Sequence, residues 1–211
     1  MISYWQFINN MSIIFAAIAL VILIFSAILH EIAHGLVAER FGDPTARLAG
    51  RLTLDPRKHI DPVMSIALPL LLLISGSPII IGAAKPVPVD PFNLRDGRKD
   101  IALVSLAGPL TNILIAVLFS FVLRIFPFGV IALIVHLNLL LAIFNLIPIP
   151  PLDGSKIFAL LLPEGLANAY LALGSIGFFI IIFLLFFSTG NFSLMGFMSN
   201  LLSFSEKLLG L

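Results

Sequence analysis

Residues Ser12–Glu39, SIIFAAIALVILIFSAILHEIAHGLVAE, set the terms for the whole chain. None of residues 1–29 is charged, and the apolar run passes without a break into His30-Glu31-Ile32-Ala33-His34. A helix needs about 20 mostly apolar residues to cross a bilayer, so 12–39 reads as a span. A cleaved signal peptide is not expected, because a basic n-region is missing and the run continues past position 20. Ionisable groups at membrane depth are rare and usually functional. On a helix, two His four residues apart share one face a turn apart, a spacing that zinc accepts. Glu31 between them is placed to hold and deprotonate a water.

The composition points the same way. Of 211 residues, 60% are apolar and 11% charged, where soluble domains carry about 25% charge; the mean hydropathy is +1.13. A soluble globule of this make-up would expose too much apolar surface, so the solvent is lipid. The length suits a single domain over 1–211, with a core at 12–162 and C-terminal helices at 165–211. A net charge of +1 speaks against a nucleic-acid partner, which needs a basic face. With no cysteine, a metal site must use His and carboxylate.

Charges fall in blocks, leaving 62–84, 101–123, 125–152 and 165–205 bare. The expectation is an all-α multi-pass membrane protein of about five or six transmembrane helices, with candidate spans at 12–39, 101–125, 130–147 and 165–188 and the tail 191–211 as a last span or interfacial helix. Nine of the twelve Lys and Arg lie between Arg40 and Lys99, in two clusters flanking 62–84. Cytoplasmic loops are the basic ones, so both clusters belong on the cytoplasmic side, and 62–84 is expected to enter the membrane and return. Pro69 and the Ser75-Gly76-Ser77-Pro78 turn signal favour that. A small β-like hairpin over Ile79 to Val89 is expected to follow, either packing structurally or offering an edge to an unwound substrate. The same reasoning puts the N-terminus outside and the His pair toward the cytoplasm.

Two His leave a catalytic zinc site one protein ligand short. His59 follows Asp55 at helical spacing, but Pro56 breaks the helix, so it reads as a loop residue. His136 sits in an apolar span and reads as a polar packing residue. Asp153 is better placed, directly after 28 uncharged residues and within Asn145-Leu146-Ile147-Pro148-Ile149-Pro150-Pro151-Leu152-Asp153-Gly154. The prolines forbid regular helix there, which turns carbonyls and the carboxylate toward a cavity. Asp153 can equally cap the helix that starts near Gly154, and the two roles are compatible.

H-E-x-x-H in a membrane helix, followed by N-x-x-P-x-x-x-x-D-G at Asn145, Pro148, Asp153 and Gly154, resembles the site-2 protease family of intramembrane zinc metalloproteases. A third family feature, G-P-x-x-N, stands at Gly108-Pro109-Leu110-Thr111-Asn112. The resemblance covers about residues 20–160 and is to the compact prokaryotic type, without PDZ or CBS domains. It implies zinc, one ion per chain, on His30, His34 and Asp153, with Glu31 activating water. It implies that Asn112 and Asn145 orient substrate or stabilise the oxyanion. The implied substrate is a transmembrane-helix protein cut in the bilayer of the cell membrane. The other reading is a zinc-binding membrane protein without protease activity, a metal transporter or an inactive scaffold. A transporter needs ligands from both sides of the membrane, and Glu31 is surplus to binding but needed for hydrolysis.

Overall fold

The computed structural model describes residues 13–67, 71, 74, 84–187 and 193–211. Among these the regular structure is helical, with no strand: α1 (Ile13–Arg40), α2 (Thr45–Leu48), α3 (Gly97–Ile125), α4 (Gly129–Asn145), α5 (Asp153–Ala159), α6 (Glu164–Leu171), α7 (Gly174–Phe186) and α8 (Leu194–Leu208). Short 3-10 turns lie at Pro56–Lys58 and Pro91–Asn93, and a π-helical turn at Pro62–Ala67. Among the described residues two helices, α1 and α3, are each long and apolar enough to cross a bilayer, and α4 is a shorter apolar helix. Ile14, Leu20, Val21, Leu114, Leu118 and Phe121 stand exposed on their outer faces, surface that lipid rather than water covers.

The predicted spans at 12–39, 101–125 and 130–147 are helices here. The span predicted over 165–188 is not one helix: α6 and α7 meet at a 67° bend. An apolar stretch carries no charge break to betray a change of direction. The tail forms α8, capped by Ser193, whose hydroxyl accepts the Gly196 N–H at 3.2 Å. It packs on α4, burying Leu194, Met198 and Leu202 at helical spacing. Most of the expected re-entrant stretch at 62–84, and residues 79–83 of the expected hairpin, lie outside the described residues. Residues 84–90, the hairpin's second half, have no regular secondary structure.

Helices α1 and α3 run antiparallel, as their contacts show. Asn112 reaches Ser26, Gly108 lies against His30 and His34, and Val104 meets His34. Helix α3 also packs on α4 and α5. The end of α1 and the start of α3 therefore lie together. The Arg95 N–H donates to Phe41 O at 3.3 Å, and Ala38, Leu94 and Val104 share a core cluster. Buried Asp43 ties this corner, accepting from the Asp90 N–H at 2.7 Å and the Asn93 amide at 3.0 Å. Burial alone would raise the Asp43 carboxyl, but these bonds and those from Thr45 outweigh it and hold it below its usual range. Arg98 on α3 donates to the carbonyls of Ala159 and Leu162 at the end of α5, which fixes the helix carrying Asp153.

Candidate active site

Three helices deliver the site. On α1, Ser26, His30 and His34 follow at four-residue spacing and share one buried face. On α3, Val104, Gly108 and Asn112 repeat that spacing in the opposite sense. The first residue of α5 is Asp153. His30 Nε2, His34 Nε2 and Asp153 Oδ2 form a triangle with edges of 3.0, 3.1 and 3.2 Å. Each residue is more than nine-tenths buried.

The outer nitrogens explain why the inner ones converge. His34 Nδ1 lies 2.7 Å from Val104 O. A carbonyl can only accept, so Nδ1 carries the proton and, in the neutral imidazole that binds a metal, Nε2 keeps its lone pair. For His30 the argument passes through two buried amides. Ile134 O accepts from Asn138 Nδ2 at 2.9 Å, so the other amide atom, Asn138 Oδ1, is an acceptor. It takes a hydrogen from Asn112 Nδ2 at 3.0 Å. That turns Asn112 Oδ1 to His30 Nδ1, 2.6 Å away. Nδ1 therefore donates, and Nε2 of His30 is also bare. Ser26 Oγ accepts from Asn138 Nδ2 at 3.0 Å and closes the network.

Two nitrogen lone pairs and a carboxylate oxygen facing one another at about 3 Å repel unless a cation lies between them. Tetrahedral zinc with bonds near 2.0–2.1 Å sets its ligands about 3.3–3.4 Å apart, so the donor set fits that ion. Lys156 Nζ holds the other oxygen of Asp153 at 3.2 Å, which leaves Oδ2 to the His pair. Gly108 makes room for the cradle. A Cβ there would stand 2.5 Å from His30 Cε1, His30 Nε2 and His34 Nε2.

Glu31 lies beside the pair, with one ligand atom from each of His30, Glu31 and His34 falling within 4.8 Å of one another. These residues line a cavity of about 360 Å³, together with Asp153, Lys156, Asn145, Ser105 and Pro86–Pro91 residues such as Val87 and Val89. Of the two asparagines expected to face substrate, Asn145 is in the cavity wall, its amide donating to Leu141 O at 3.0 Å. Asn112 is not in that wall. It is fully buried and serves His30 from behind. His59 lies away from the triangle with Nε2 on Thr53 O at 2.9 Å, and His136 pairs with Glu206 on α8 at 2.6 Å.

Ser26, Asn138 and Lys156 support the site without having been singled out in the sequence. For Asn138 a signal existed, a carboxamide in a span that is otherwise almost wholly apolar, where a polar group must find a partner.

Comparison with known proteins gives the arrangement a family. The chain is 39% identical over 181 residues to "Putative zinc metalloprotease YwhC" of Bacillus subtilis, covering 79% of this chain and 78% of that one. It is 36% identical over 167 residues to a protein of the same description, Rip2 of Mycobacterium tuberculosis, covering 76% and 62%. A third relative so described, MJ0611 of Methanocaldococcus jannaschii, is 31% identical over 153 residues, covering 70% and 72%. No protein-family model matches the chain, and no solved structure matches it. Two bacteria and an archaeon thus share one description across most of this chain's length, and the chain belongs with them, to the site-2-protease-like family of zinc metalloproteases.

Proposed function

We propose that this metalloprotease hydrolyses peptide bonds within or at the edge of membrane-spanning helices. The observation that carries the reading is the meeting of the His30–His34–Asp153 triangle with Glu31 in a cavity walled by α1, α3 and the end of α4. Held by His30 Nε2, His34 Nε2 and Asp153 Oδ2, zinc would supply Lewis acidity, polarising the scissile carbonyl and acidifying the attacking water. Glu31 accepts the water's proton and passes it to the leaving amine. Asn145 offers its carboxamide to the substrate carbonyl or oxyanion. Asn112 acts as a positioning residue that fixes the tautomer and direction of His30. A helical substrate must unwind locally first, since its carbonyls are engaged in its own hydrogen bonds.

The same proposal covers the placement of the chain. It crosses as a single multi-pass domain, with its N-terminus outside, both basic clusters cytoplasmic, and 62–84 entering and returning. The antiparallel register of α1 and α3 and the Arg95–Phe41 bond support this. They set the two segments that flank 62–84 at one end of the bundle. The test of function is cleavage of a single-span substrate by protein purified in detergent. Chelation should abolish cleavage and zinc restore it, and Glu31→Gln should retain zinc without turnover. Turnover by Glu31→Gln at the parent rate would end the reading.

A further inference from the structure

Ahead of α3, residues 84–90 form a strap across α1, tied at both ends. At one end the Lys85 N–H donates to His59 O at 2.8 Å, and Arg51 Nη2 donates to Lys85 O at 2.7 Å. At the other end the Asp90 N–H donates to Asp43 Oδ2 at 2.7 Å. Midway, the Val87 N–H donates to Glu31 Oε2 at 2.7 Å.

The sequence around that donor is restrictive. Pro86 and Pro88 have no N–H, so Val87 carries the one backbone donor among residues 86–88, and a slip of one residue would present a proline to Glu31. Pro88 also holds Val87 extended. The strap lies close on α1 because Gly35, one turn beyond Glu31 on the same face, has no side chain. A Cβ at Gly35 would stand 3.1 Å from Val87 Cγ1 and 2.6 Å from Leu52 Cδ2. The Val87 side chain is itself buried, so the donor is fixed from both sides.

We propose that the backbone N–H of Val87 is the positioning group for Glu31. It holds Oε2 and leaves Oε1 to receive the proton of the attacking water. Without it, a carboxylate on a flexible stem beside the His pair samples several rotamers, and only some reach the water. This assignment rests on Glu31 acting as the base, but its main test does not.

That test is amide exchange in the zinc-loaded, full-length protein in detergent, followed on peptides spanning 85–90, in which Pro86 and Pro88 contribute no amide. Val87 should exchange at least about tenfold faster in Glu31→Ala than in the parent, because a hydrogen bond to a charged acceptor is lost. Lys85 and Asp90, held by His59 and Asp43, serve as internal references. Equal exchange at Val87 in the two proteins overturns the proposal. Kinetics give a second arm. Val87→Pro deletes the donor, and Val87→Ala trims the side chain but keeps it. The proline variant should lose about 10- to 100-fold in kcat, with KM and zinc content near the parent's, and should fall at least about tenfold below the alanine variant. Equal losses in the two variants would assign the effect to packing and overturn the proposal. Should Val87→Pro fail to fold, the exchange result decides alone. Parent-like turnover by Glu31→Gln, in contrast, removes the base assignment whatever Val87 does.

Discussion

Gly108→Ala adds one methyl group directly against the His pair. The new carbon would lie 2.5 Å from three ring atoms of His30 and His34, where ordinary contact begins at 3.4 Å. About 1 Å must be found, and the rings are poorly placed to give it. Each is tied through Nδ1 to α3 itself, His34 to Val104 O and His30 to Asn112. If the rings retreat, those bonds stretch; if α3 retreats, it carries the bonds with it. Overpacking of this kind costs about 1–3 kcal/mol, and disturbing the outer partners of a metal ligand typically weakens binding about 10- to 100-fold. Helix propensity works in the opposite direction, favouring Ala over Gly by about 1 kcal/mol, so weaker binding could not be blamed on a poorer helix. Zinc competition against a chromophoric chelator, on the purified full-length protein, measures the effect. An affinity within about twofold of the parent would show that α3 does not form the back wall of the zinc cradle, and the geometry argued from Gly108 would be wrong.

Three further outcomes are expected. Asp153→Ala should lose most of its zinc on dialysis while His136→Ala keeps it, since His136 is engaged with Glu206; metal analysis distinguishes them, and the reverse pattern would refute the ligand set. Asn138→Leu leaves Asn112 without its buried acceptor, which should lower stability by about 1–3 kcal/mol and weaken zinc binding, checked by denaturant unfolding and by the same chelator competition. Cysteines placed at exposed Arg57 and Arg95 in this cysteine-free chain should be labelled by an impermeant thiol reagent from the same side of the membrane, and labelling from opposite sides would refute the re-entrant arrangement of 62–84.

What could be read in the sequence was whatever leaves a mark in charge or spacing. Bare blocks gave α1, α3 and α4 because a lipid-facing helix excludes charge over most of its length. His30, Glu31, His34 and Asp153 stood out because ionisable side chains beside such blocks need a reason. The bend between α6 and α7 left no mark in the charge pattern, since no charged residue stands between Glu164 and Glu206. Asn112 was visible as part of a motif, but its direction was not. Whether a carboxamide faces a cavity or the back of a histidine depends on Asn138 and Ser26, which lie on two other helices. The Val87–Glu31 bond was less visible still, because a backbone N–H has no letter of its own. Only the prolines on either side hint that one donor matters there.

The central claim, that zinc-dependent hydrolysis takes place on a membrane-spanning helix, meets its most direct test in the masses of the products. A single-span substrate is reconstituted with the zinc-loaded enzyme in lipid nanodiscs, and the fragments are measured by mass spectrometry beside those from Glu31→Gln. The account predicts a cut inside the span or within a turn of its end, made by the parent and absent from the variant. Cleavage confined to the soluble flanks of the substrate, or the same cut made by Glu31→Gln, would contradict it.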